Sequence, residues 1–144
     1  MKFYFFDTSA LVKRYHYENG TEKVDSIFSE DDRAIIISSI SITEIVSALN
    51  RKKGEGVIAE DDLQFTISKF FHDAIKEFTV LEISEENVKD SIELVLSENL
   101  RTLDALQLAV ALGLKDLEAI FVCADKNLIN AAKSIGLNVV NPED

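Results

Sequence analysis

Four acidic residues stand where a carboxylate can do more than solvate the chain: Asp7, Glu44, Asp104 and Asp125. Asp7 directly follows the aromatic run Phe3-Tyr4-Phe5-Phe6, and Asp125 follows the apolar run 119–123 after one intervening residue. Glu44 comes early in the amphipathic stretch 41–53, off its apolar stripe, and Asp104 opens the stretch 104–114. Carboxylates gathered in one place are hard oxygen ligands of the kind Mg2+ and Mn2+ take. Such cations make water nucleophilic near neutral pH and stabilise charge on a phosphoryl group. Bare, four crowded carboxylates repel one another, and at least one has its pKa raised until a cation relieves it. Each acid also has a purely structural reading. Asp is a favoured N-cap, and Ser41-Ile42-Thr43-Glu44 spells the S-x-x-E capping box. Spacing alone leaves both readings open.

The elements that must position these acids follow from periodicity. Residues 3–6, 34–37, 79–83, 119–123 and 137–140 are short apolar runs, continuous rather than alternating, as in strands buried on both faces of a parallel sheet. Between them, 41–53 carries Ile42, Ile45, Val46 and Leu49 at helical spacing. The stretch 59–78 carries Leu63, Ile67, Phe70, Phe71, Ala74 and Phe78, and 85–97 carries Val88, Ile92, Val95 and Leu96. A further helix begins near Thr8. The 104–114 stretch is apolar nearly all round, which points to a core helix or an oligomer interface. Gly113 and Gly136 stand where helices stop. Strands alternating with helices predict an α/β fold, a three-layer α/β/α sandwich around a mostly parallel five-stranded sheet, with 1–144 as one domain. Asp7 and Asp125 then lie at carboxyl ends of strands, where open α/β sheets bind ligands.

Composition narrows the function classes. The 144 residues are 47% hydrophobic, which excludes intrinsic disorder as the main state. A single Cys excludes an intramolecular disulfide framework and a Cys-based zinc cage. No apolar run approaches a membrane span, and the aromatic start is too short for a signal peptide, so a cytoplasmic protein with no membrane partner is expected. With 15 Lys+Arg against 26 Asp+Glu, a net charge of -11, the chain cannot attract nucleic acid globally. It would need a local basic patch or bound cations. Lys13 and Arg14, within two turns of Asp7, and Lys126, beside Asp125, are candidates for phosphate contact. Arg51-Lys52-Lys53 ends the 41–53 helix and suits the helix dipole.

The wording around the acids carries more. Phe6-Asp7-Thr8-Ser9-Ala10-Leu11 resembles the D-T/S-S/N-x-L/I opening of PIN-domain nucleases. Ser38-Ser39-Ile40-Ser41-Ile42-Thr43-Glu44-Ile45 resembles the segment that bears that family's glutamate. Leu100-Arg101-Thr102-Leu103-Asp104-Ala105-Leu106-Gln107-Leu108-Ala109 resembles its L-R-x-x-D-A helix start, with Gln107 where His is frequent. Phe121-Val122-Cys123-Ala124-Asp125 resembles its fourth-strand motif, with Cys123 in place of the usual Ser or Thr. The close, Gly136-Leu137-Asn138-Val139-Val140-Asn141-Pro142, also resembles a PIN C-terminus. The ordered set spans the chain, and in size and wording it is most similar to VapC-like toxin ribonucleases of toxin–antitoxin pairs.

That resemblance implies an endoribonuclease in which Asp7, Glu44, Asp104 and Asp125 hold Mg2+ or Mn2+, with Glu44 as ligand or base. It implies supporting roles for Ser9, Thr43 and Asn127 and a carboxylate or phosphate contact for Arg101. It further implies an RNA substrate, a small antitoxin protein as partner, with Phe65 in a docking groove, and a homodimer. A free-standing RNA-processing nuclease and a catalytically silent PIN-like binding module are the alternatives. A haloacid-dehalogenase-type phosphatase would need an Asp where Ser9 stands, and a receiver-type phosphoacceptor an Asp after the third strand, where Ile83-Ser84 offers none. His16 and His72 read as surface residues, and Cys123 as a small buried apolar one.

Overall fold

A computed structural model describes residues 1–144. Five strands, β1 (Lys2–Phe6), β2 (Arg33–Ser38), β3 (Phe78–Leu81), β4 (Ile120–Val122) and β5 (Asn138–Val140), form one sheet in the order β3-β2-β1-β4-β5. Every neighbouring pair is parallel. The chain winds outward from β1 through β2 to β3, then returns to the other side of β1 for β4 and β5. The winding therefore reverses between β1 and β4, and this is the switch point where an open sheet leaves a crevice at its carboxyl edge.

Alternation along the strands sends residues to opposite faces. Tyr4, Phe6, Ile35, Ile37 and Val122 pack against α1 (Thr8–Tyr15), α2 (Thr21–Phe28), α3 (Ser39–Gly54) and α4 (Glu60–Lys76). Phe5, Ile36, Phe121 and Cys123 pack against α5 (Glu85–Glu98), α6 (Thr102–Leu112) and α7 (Lys126–Ser134). Both layers are thus closed, which explains why the strands are apolar throughout rather than alternating. No helix is long and apolar enough to cross a membrane.

Helix α2 has no counterpart among the sequence expectations; its eight residues, TEKVDSIF, bury Thr21, Val24, Ile27 and Phe28. The 59–78 helical stretch stops at Lys76, and Phe78 enters β3 instead; Phe71 is left largely exposed. Of the two readings of the apolar 104–114 stretch, the core helix holds: Ala105, Leu108, Ala109, Val110 and Ala111 are all buried inside the chain's own core. Exposed apolar side chains lie on α5, at Val88, Ile92 and Leu96, and on α4, at Phe65, Phe71 and Ile75.

Candidate active site

The sheet's switch point decides where the acids meet. Asp7 ends β1 and N-caps α1, and Asp125 lies just past β4 and N-caps α7, so the two adjacent strands deliver both to one crevice. Glu44 comes from the second turn of α3, the helix that leaves β2 on the other side of β1. Asp104 comes from the first turn of α6. All four line a cleft of about 330 Å³, together with Thr8, Ser9, Arg51 and Lys52.

Capping and cleft-lining coexist in the two aspartates. Asp7 Oδ2 accepts hydrogen bonds from the Ser9 amide at 3.1 Å and the Ser9 hydroxyl at 2.5 Å, while Oδ1 takes none from the chain. Asp125 Oδ1 accepts from the Leu128 amide at 3.1 Å, which leaves Oδ2 without a chain partner. One oxygen of each carboxylate ties down a helix and the other stays available. Ser9 also accepts from the Ala124 amide at 3.0 Å, so one hydroxyl joins the β1–α1 and β4–α7 junctions. The capping-box reading of Glu44 does not hold. Helix α3 begins at Ser39, with Ser38 as N-cap, and the Ser41 hydroxyl is engaged by Thr8 and Gln107 instead. Glu44 Oε1 accepts from the Thr8 hydroxyl at 2.8 Å and the Gln107 amide at 3.1 Å.

The electrostatics are those of a crowded acidic pocket. Asp7 is 5% exposed, and its pKa is pushed up to about 6, first by burial and further by the charges of Glu44 and Asp104, against the pull of the Ser9 hydrogen bonds. Asp104 is also raised, by burial first and then by Asp125 and Glu44, with Arg101 opposing. Burial raises the Cys123 thiol strongly, and the Asp7 charge adds to it, so this sulfur is held as a neutral thiol and not as a nucleophile.

An all-oxygen donor set with unpartnered carboxylate oxygens fits Mg2+ or Mn2+ and does not fit a thiolate-seeking metal. No three acidic, His or Cys side chains converge tightly enough to enclose one ion by themselves.

The remaining expected residues divide. Ser9 lines the cleft. Thr43 does not; it is exposed and faces a separate groove between α3 and α4. Asn127 is exposed and takes part in no hydrogen bond to the acids. Lys13 is the clearest correction. It is 4% exposed, with Nζ 3.1 Å from Glu18 and 2.7 Å from Glu143, because the face of α1 that carries it turns inward; it is closed to phosphate. Arg14 likewise points away from the cleft, bonded to Asp25 at 2.7 Å and lying over the Phe28 ring. Arg101 and Lys126 are exposed beside Asp104 and Asp125 but outside the cleft wall. The cleft's cations are Arg51 and Lys52, which spacing had assigned only to the helix dipole. Their signal was available: they lie seven and eight residues beyond Glu44, two turns along one face of α3. Thr8 and Gln107 were missed as polar partners of Glu44, and Ser41 as the hydroxyl that links them, for want of any such signal.

The family model described as PIN domain matches residues 4–134. No curated protein matches the sequence. Among solved structures, a toxin–antitoxin complex from Klebsiella pneumoniae is similar at a TM-score of 0.65 with 16% identity, over 96% of this chain and 97% of that one. VapBC2 from Rickettsia felis, bound to a DNA fragment from its promoter, gives 0.66 with 16% identity, over 96% and 98%. FitAcB from Neisseria gonorrhoeae gives 0.61 with 14% identity, over 96% of each chain. At such identities the likeness is one of fold.

Proposed function

The chain belongs to the PIN domain family, and from that premise we propose that it is a metal-dependent endoribonuclease, the toxin of a toxin–antitoxin pair. The observation that carries this reading is the meeting of Asp7, Glu44, Asp104 and Asp125 in one cleft beside Arg51 and Lys52. The four carboxylates would hold Mg2+ or Mn2+, which when bound lowers the pKa of water and polarises a phosphoryl oxygen. The chain's own groups do the rest. Ser9 fixes Asp7, and the Asp7 Oδ1 edge faces the ligand side. Thr8 and Gln107 hold Glu44 by Oε1, leaving Oε2 to orient the attacking water or accept its proton. Arg51 donates to phosphate oxygens of the RNA, its one intramolecular side-chain bond being to Ser47. Arg101 and Lys126, exposed beside Asp104 and Asp125, are placed to meet flanking phosphates. A basic lip over an acidic pocket lets a chain of net charge -11 take a polyanion locally.

For an antitoxin, the chain offers the groove lined by Thr43, Val46, Leu63 and Ile67, with Phe65 exposed on the same α4. For a second copy it offers the α5 stripe of Val88, Ile92 and Leu96.

The test is cleavage of single-stranded RNA by the pure protein with Mn2+, with and without EDTA, beside Asp7→Asn. Cleavage lost both to the chelator and to the substitution is expected. Equal cleavage by the variant would show the site misassigned.

A further inference from the structure

Gln107 is a buried polar residue in an otherwise apolar helix. It is 1% exposed among Ala105, Leu108 and Ala109. Such a group is costly to bury unless its amide is satisfied. Here it is satisfied at both ends: Oε1 accepts from the Ser38 hydroxyl at 2.8 Å, and Nε2 donates to Ser41 Oγ at 2.8 Å and Glu44 Oε1 at 3.1 Å. The polarity of the network follows. The Glu44 carboxylate only accepts, so Thr8 donates to it at 2.8 Å, and Thr8 Oγ1 in turn accepts from the Ser41 hydroxyl at 2.9 Å. Turning the amide round would set Gln107 Oε1 against the Glu44 carboxylate, acceptor to acceptor. Ser38, behind the amide, anchors the Oε1 end that this orientation turns away from Glu44.

These bonds join elements that local structure does not. Ser38 ends β2, Ser41 and Glu44 ride on α3, Thr8 opens α1 beside Asp7, and Gln107 lies one turn beyond Asp104 on α6. We propose that Gln107 is a positioning residue: it pins the Glu44 carboxylate by Oε1, ties Ser41 to the same network, and fixes the spacing of Glu44 to Asp104, so that Oε2 is presented to the metal and water. This rests on the nuclease reading above and deepens it.

The experiment compares wild type with Gln107→Met, which keeps length and loses both polar ends, and Gln107→His, which keeps a donor. Folding is checked by circular dichroism at 20 °C, Mn2+ affinity by EPR titration of the free ion, and RNA cleavage as separate kcat and KM. Supporting groups of metal ligands are worth about 10–100-fold in affinity or activity. For Gln107→Met we expect a Kd for Mn2+ weakened about tenfold and kcat lowered at least as much, with KM for RNA little changed. His should recover most of both. A Met variant that binds Mn2+ and turns over like wild type overturns the proposal. If it does not fold, Ser38→Ala takes its place, since that change removes only the hydroxyl that anchors the amide oxygen. A fall in Mn2+ affinity would then support the role, and unchanged affinity and kcat would overturn it. Wild type that ignores EDTA would instead remove the nuclease reading, while the Mn2+ titration still judges Gln107 by itself.

Discussion

Asp7→Asn should make the metal-free protein more stable at neutral pH while destroying its activity. Burial in the acidic pocket pushes the Asp7 pKa up to about 6 in the folded chain, against an ordinary value of 3.8. A raised carboxyl pKa means the folded state prefers the protonated form. That preference stabilises the fold fully below pH 3.8 and is lost as pH rises through about 6. Above this the ionised, buried carboxylate weighs against folding. Two pKa units at 1.36 kcal/mol each amount to about 3 kcal/mol. Asparagine never ionises, and its Oδ1 still accepts from the Ser9 amide and hydroxyl. The variant's advantage over wild type should therefore be near zero at pH 4, grow between pH 4 and 6, and level off at about 3 kcal/mol above pH 7. That corresponds to a rise in Tm of roughly 10 °C for a domain of this size. Chemical denaturation in EDTA across pH 4–8 measures it. With saturating Mn2+ the order should narrow or reverse, because only the wild-type site gains binding energy, by RT ln(1 + [L]/Kd). A variant less stable than wild type at pH 7.5 in EDTA, or a difference independent of pH, would refute the electrostatic account of the pocket.

Arg51→Ala should raise KM for single-stranded RNA several-fold with little change in kcat, and the salt dependence of binding should lose about 0.7 from its log–log slope, the share of one phosphate contact. Lys13→Ala should leave RNA binding unchanged but cost about 2–3 kcal/mol in denaturation experiments, because it empties a buried site and strips Glu18 and Glu143 of their shared cation. Ser9→Ala should lower kcat more than tenfold, since it frees Asp7 Oδ2 and unlinks the Ala124 amide, and its KM for RNA should stay within threefold of wild type.

Much of the fold is legible locally. Continuous apolar runs of four or five residues, alternating with amphipathic stretches, are what a parallel sheet covered on both faces requires, and each of the five runs coincides with a strand to within two residues at either end. The acids at β1 and β4 are legible for the same reason. An Asp that ends an apolar run is both a helix cap and a residue at the carboxyl edge, whatever the rest of the chain does. Tertiary structure decided which cations share that edge. Lys13 and Arg51 both sit on helices within reach of an acid in sequence, but a side chain's direction depends on which face its helix packs, and α1 buries the face that carries Lys13. It also decided the fate of Ser41 and Gln107. A Ser before a Glu reads as a cap and a Gln among alanines and leucines reads as an exception, until α1, α3 and α6 meet and join them in one network, in which Gln107 bonds both Ser41 and the Glu44 carboxylate. Contacts between remote elements leave no periodicity in the chain, so no local pattern announces them.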